Sequence, residues 1–170
     1  GLLETVVEAV GDRCVAVRGS LVLAREAVAE AGWWAANTWI EPEWLSIRSI
    51  GDAAQQLRAK QRSWALHPVG NFRRAALIQE KLPAVRVRPR EFPFEVPAAP
   101  MGGWTLWDKD QLLCSARCTS SFPGGVVQFV DDREGPPSRA YKKLWEALTV
   151  IGQRPSAGQR CLDLGGPRGS

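Results

Sequence analysis

Five prolines between residues 83 and 100 (Pro83, Pro89, Pro93, Pro97 and Pro100) constrain this chain more than any other feature. Each fixes its own φ and removes a backbone donor, so neither a helix nor a central strand can run through the stretch. Val85-Arg86-Val87-Arg88 alternates like a strand before the later prolines intervene, and the segment as a whole is expected to be an extended strap or linker of polyproline II character. What lies on either side must therefore organise separately. At 170 residues, with 45% hydrophobic and 24% charged side chains, the chain has the composition of a globular protein, which excludes wholesale disorder. No apolar run approaches the roughly 18 residues a membrane span needs. The opening Gly-Leu-Leu-Glu-Thr lacks both an initiator Met and the pattern of a signal peptide.

Ahead of the strap, local signals predict alternating short helices and strands. Residues 2–10 read as a short helix, and 14–23 as a strand pair turning at Gly19-Ser20. Trp33–Ile47 reads as another strand, its Thr38–Leu45 part interrupted by Pro42. Ile50–Arg62 is a helix with Asp52 as its capping candidate. Ser63–Val69 is a short strand, and Asn71 opens a second helix to Lys81. This alternation indicates a small α+β module over residues 1–97. After the strap, Gly103–Ala116 and Gly125–Asp131 are expected as two connecting strands within residues 98–136. Ser138 then caps a helix whose Tyr141, Leu144, Trp145 and Leu148 recur at three and four residues, which predicts one buried stripe ended by Gly152. Cys161-Leu162-Asp163-Leu164 reads as a buried strand running into the Gly-rich turn 165–170.

Charge is distributed unevenly. Residues 1–50 carry 4 basic and 7 acidic side chains, residues 51–100 carry 9 and 4, and residues 101–170 carry 9 and 7. Between 58 and 90 nine basic residues meet a single acid, Glu80. Such a block suits a phosphate-rich partner, and Arg58, Lys60, Arg62, Arg73 and Arg74 are its candidates for RNA contact; a solvated basic face without a partner is the plainer alternative. Trp64 and Phe72, set among these arginines, are candidates for stacking on bases, whereas Trp33, Trp34, Trp39 and Trp44 fit core packing better. Four scattered cysteines fit a reducing, cytoplasmic setting rather than a disulfide scaffold. The single His67 argues against a His-rich zinc site and a Ser-His-Asp triad, and Cys114-x-x-x-Cys118 lacks the second ligand pair a metal would need.

A buried strand feeding a glycine-rich turn is how α/β nucleotide-binding folds begin. The absence of G-x-G-x-x-G after Asp163 disfavours a dinucleotide oxidoreductase. Taken together, Ser138-Arg139-Ala140-Tyr141-Lys142-Lys143-Leu144 and the following Asp163-Leu164-Gly165 resemble the S-adenosylmethionine-dependent ribosomal RNA ribose 2′-O-methyltransferases, in which an S-R-A-x-x-K-L helix precedes a D-L-G-x-x-P-G-G/S cofactor turn. The likeness is tight over residues 131–165. Ahead of that it is looser and points to the large-subunit type with an N-terminal THUMP-like RNA-binding module.

The resemblance implies a fold and a division of labour. Residues 1–97 would be the THUMP-like module, 98–136 a connection, and 137–170 the start of a Rossmann-like α/β domain that breaks off after its first strand. Lys143 matches the helix lysine of the family's catalytic set. Lys142, one place out of that register, would face RNA phosphate. Asp163, Gly165 and Gly169 match residues that hold S-adenosylmethionine. At the turn, Gly166-Pro167-Arg168 departs from the family: the proline comes one position early and Arg168 occupies its place, so weak cofactor binding by this chain is expected. The implied protein is a cytoplasmic enzyme with ribosomal RNA as its partner and no metal, of which this chain alone would be inactive. An RNA-binding or interaction module without catalysis is the alternative.

Overall fold

In the computed structural model, residues 1–29, 34–132, 134 and 139–162 are described. The chain falls into two compact units, one made of Gly1–Arg86 with Ala98–Val126, the other of Val87–Pro97 with the residues from Val127 onward. The architecture is mixed α/β, with small sheets and four α-helices among the described residues.

The first unit opens with helix α1 (Leu2–Val10), followed by a 3-10 turn and the antiparallel hairpin β1 (Cys14–Arg18) and β2 (Leu21–Ala24). Gly19 takes the positive φ of the hairpin turn, a conformation open to glycine without strain. Next come β3 (Trp39–Ile40), β4 (Glu43–Ser46), α2 (Ile50–Lys60), β5 (Trp64–Leu66), α3 (Phe72–Glu80), β6 (Gly102–Asp108), β7 (Gln111–Ser115) and β8 (Arg117–Cys118). The main sheet has the order β4-β7-β6-β5, with only β5 and β6 parallel, while β3 and β8 form a separate antiparallel ribbon.

Helices α2 and α3 supply the apolar faces that bury one side of this sheet. Ala53, Ala54 and Leu57 of α2 and Ala75 and Ile78 of α3 join Trp64, Trp104, Leu106, Leu112 and Cys114 in one core cluster. The cap of α2 is Ser49, not Asp52: the Ser49 hydroxyl accepts the Asp52 backbone N–H at 3.1 Å. Asp52 returns the bond, its carboxylate accepting the Arg48 N–H at 2.8 Å. That bond, with a second from the Gln56 amide, holds the Asp52 carboxyl below the usual carboxylate range. Burial pushes the Cys114 thiol up to about 12, with the Glu43 carboxylate adding to the effect.

Three strand expectations change. Gly103–Ala116 is not one strand but the β6–β7 hairpin, because Asp108, Lys109 and Asp110 break the apolar run with a polar turn. Of the two strands expected as a connection, the first alone therefore supplies the central pair of the main sheet. Val85–Arg88 enters no ladder, and neither does Gly125–Asp131, whose first residue closes a 3-10 turn. Val127 and Phe129 do point inward in alternation, but their neighbour is the proline strap. Pairing there stops at one bridge, with Arg90 N–H donating to Gln128 and Val130 N–H donating to Arg90.

The second unit is built on aromatic packing. Phe92 of the strap stacks on Trp145 with centroids 4.9 Å apart and planes 9° from parallel. Phe129 meets the same indole edge-on at 5.6 Å, and Tyr141 does so at 4.4 Å. Trp145 and Tyr141 belong to α4 (Tyr141–Ile151), which Gly152 ends in the left-handed conformation. Ser138, expected as its cap, lies outside the described residues; the helix begins after Ala140. Cys161 and Leu162 are exposed and form no strand, contrary to expectation, and Asp163–Ser170 lie outside the described residues.

Candidate functional site

The basic block on α2 and α3 separates into residues with structural duties and residues without them. Arg58, in the last turn of α2, donates to the Lys81 carbonyl at 3.1 Å and so ties the ends of the two helices together. Lys60 pairs with Glu43 of β4 at 2.7 Å. Arg62 and Arg73 are exposed and meet no carboxylate among the described residues. Arg74 is half-buried, its Nε enclosed without a hydrogen-bond partner. Because Arg58 is fixed to Lys81, the α2 end of the block stands a helix length, ~12 Å at 1.5 Å per residue, from Arg73. The first turn of α3 contains Phe72, Arg73 and Arg74 and no acid, and Phe72 is 65% exposed.

Of the two aromatic candidates for base stacking, only Phe72 is accessible. Trp64 is fully buried, and its indole N–H donates to the Leu57 and Gln61 carbonyls at 2.9 and 3.0 Å. It anchors the α2–β5 junction, a polar handle satisfied inside the core. Trp39 is half-buried over Gly103 without joining the buried core cluster, and Trp34 and Trp44 are about half exposed. Trp44 leans edge-on against Trp107 at 5.4 Å, and the Arg18 guanidinium covers the Trp107 ring at 4.0 Å. Trp33 lies outside the described residues.

On α4 the buried side is rotated from the expected stripe. Tyr141, Trp145 and Leu148 face inward, but Leu144 is 60% exposed and Thr149 takes the buried place. Packing of Trp145 on Phe92 turns the helix this way, and two hydrogen bonds between the Tyr141 hydroxyl and the Asp132 backbone hold it. The two lysines consequently exchange surroundings. Lys143 is exposed, whereas Lys142, expected further towards solvent, is half-buried and ion-paired with Asp131. Arg139 approaches the same carboxylate at 3.7 Å. Asp163, Gly165 and Gly169 lie outside the described residues.

Lys142 and Glu146 also line a surface cavity of about 300 Å³, with Pro89, Val127, Gln128 and Phe129 forming the rest of its wall. Sequence reasoning passed over Glu146, Gln128 and Asp131. The i,i+4 spacing of Lys142 and Glu146 was a usable signal, since it places both side chains on one helix face. No group of three or more His, Cys, Asp or Glu side chains able to hold a metal occurs among the described residues. No described helix is long and apolar enough to cross a membrane. Compared with known proteins, the chain matches no family model, no curated protein and no solved structure.

Proposed function

We propose that these residues are the leading part of a cytoplasmic RNA methyltransferase, which transfers a methyl group from S-adenosylmethionine to a ribose 2′-hydroxyl of ribosomal RNA. In this reading the first unit is a THUMP-like module that seats RNA, and α4 leads into a Rossmann-like catalytic domain. The observation that carries the reading is Lys143, which stands exposed in the first turn of α4 within the S-R-A-x-x-K-L segment. A ribose hydroxyl is a poor nucleophile at neutral pH and needs a base or a fixed positive charge beside it. An exposed amine such as that of Lys143 supplies the positive charge. S-adenosylmethionine supplies the methyl group, and Asp163, Gly165 and Gly169 are the residues proposed to hold it.

RNA is held by the basic residues of the block that make no ion pair or side-chain hydrogen bond among the described residues. Arg62, Arg73 and Arg74 would meet phosphates and Phe72 a base, while Arg58 and Lys60 serve mainly to fasten α2. The test has two arms. Neutralising Arg62, Arg73 and Arg74 together should reduce the log–log salt slope of single-stranded RNA binding by about 2, at ~0.7 per lost phosphate contact. Neutralising Arg58 and Lys60 should leave the slope nearly unchanged. In a protein that carries these residues followed by the remainder of the domain, Lys143→Ala should slow methyl transfer about 10²–10⁴-fold with RNA affinity intact. Unslowed transfer would remove Lys143 from the chemistry. Loss of affinity alone would favour a binding module without catalysis.

A further inference from the structure

The cavity beside α4 contains a carboxylate whose hydrogen-bonding capacity is not met among the described residues. Glu146 is half-buried there, and among the described residues neither an ion pair nor a hydrogen bond engages its carboxylate. A partly desolvated carboxylate without donors is unfavourable, and this cost falls away when a ligand brings N–H groups to it. Lys142 is differently placed. Asp131 neutralises its charge and fixes its position, yet an ammonium has three donors and keeps capacity for another acceptor. Gln128, exposed at the same cavity, adds an amide with no side-chain partner among the described residues. Pro89, Val127 and Phe129 complete the lining, and Phe129 is only 7% exposed, packed against Phe92 and Trp145.

The ligand that fits is flat and apolar on its face, with two adjacent N–H donors and an acceptor next to them on its edge. Among the RNA bases guanine alone offers that order, with N1–H and N2–H beside O6. A carboxylate in an RNA-binding protein repels phosphate, so its use is in reading a base edge. The volume is at the lower end of the range for small-ligand sites, enough for one nucleoside. We propose that this cavity holds an unstacked guanine, with Glu146 accepting from N1–H and N2–H and Lys142 donating to O6. This deepens the RNA reading above, on which it rests.

The experiment is equilibrium dialysis of GMP and AMP against the full chain, with far-UV circular dichroism as the check on folding. GMP should be preferred by at least about ten-fold, the discrimination expected of one good bidentate contact. Glu146→Gln should abolish that preference and move it towards AMP, because an amide offers one donor and one acceptor, the pattern that suits adenine. Gln128→Ala is the second variant, expected to weaken GMP without changing the order of preference. Equal binding of the two nucleotides, no binding of either, or an unchanged preference in Glu146→Gln would overturn the proposal. If RNA binds through Arg73 and Arg74 while GMP is not preferred, the guanine site fails and the RNA reading stands. If GMP is preferred but RNA does not bind, the reverse holds.

Discussion

Replacing Gly103 by alanine tests how closely the β3–β8 ribbon is seated on the main sheet. At an open position in a strand, Gly→Ala stabilises by about 0.5–1 kcal/mol, because alanine loses less backbone entropy on folding. Gly103 is not open. A Cβ built there would lie 2.5 Å from Cε2 and 2.9 Å from Cζ2 of Trp39, and nearer still to Nε1. No Cβ sits so close to an aromatic ring, so the indole or the strand must shift, and overpacking of this kind costs about 1–3 kcal/mol. The net expectation is a loss of about 1–2 kcal/mol, read as a lower urea midpoint at unchanged slope. The decisive comparison is made in a Trp39→Ala background, where the obstructing ring is gone. There Gly103→Ala should be neutral or mildly stabilising, which gives the pair a coupling energy of about 1–3 kcal/mol. If Gly103→Ala stabilises the parent chain, or costs the same in both backgrounds, the ribbon does not lie over β6 as described.

Two titrating groups give further expectations. Burial holds His67 below the ordinary histidine range, and its Nε2 lies 3.3 Å from the Ser20 hydroxyl. As pH falls the unfolded chain therefore takes up the proton first, so the stability contributed by His67 is complete above pH ~6.5 and is lost as the pH drops from there towards the lower folded value. His67→Asn should flatten the urea midpoint between pH 5 and 7; an unaltered pH profile would assign that dependence to other groups. For Cys114, raised to about 12, the sign is opposite: its stabilisation is complete below the unfolded thiol value and is lost as pH rises through about 9 towards 12. Its thiol should resist alkylation at pH 8 in the folded chain and react in urea, whereas the exposed Cys161 reacts in both, as mass spectrometry of the labelled peptides would show.

Elements carrying their own local signals were legible. The hairpin at Gly19-Ser20, helices α2 and α3, and the stop of α4 at Gly152 stand where turn residues and apolar spacing put them, although the cap expected for α2 was the wrong residue. Elements that depend on a distant partner were not. Nothing near Val127 indicates that its neighbour is a proline-bounded strap, which allows one bridge where the alternation of Val127 and Phe129 suggests a strand. Trp64 lies among arginines in sequence and among Leu57, Ile78 and Trp104 in space. The site shows the same division. The lysines of α4 could be located to the residue, but which of them faces inward depends on Phe92, some fifty positions away.

The placing of β6 and β7 at the centre of the first unit's sheet sets an order of events during synthesis. Helices α2 and α3 leave the ribosome with Leu57 and Ile78 on apolar faces whose partners, Trp104, Leu106 and Leu112, have not yet been made. From Glu80 to Ser115 is about 35 residues, which at 5–20 residues per second amounts to a wait of about 2–7 s. During that interval β4 and β5 have no strand between them, and the growing chain offers apolar surface that a holding chaperone can cover. The proline strap is translated within the same interval; its extended, donor-poor backbone is unsuited to pairing with those waiting strands, which keeps the place of β6 and β7 open until they arrive.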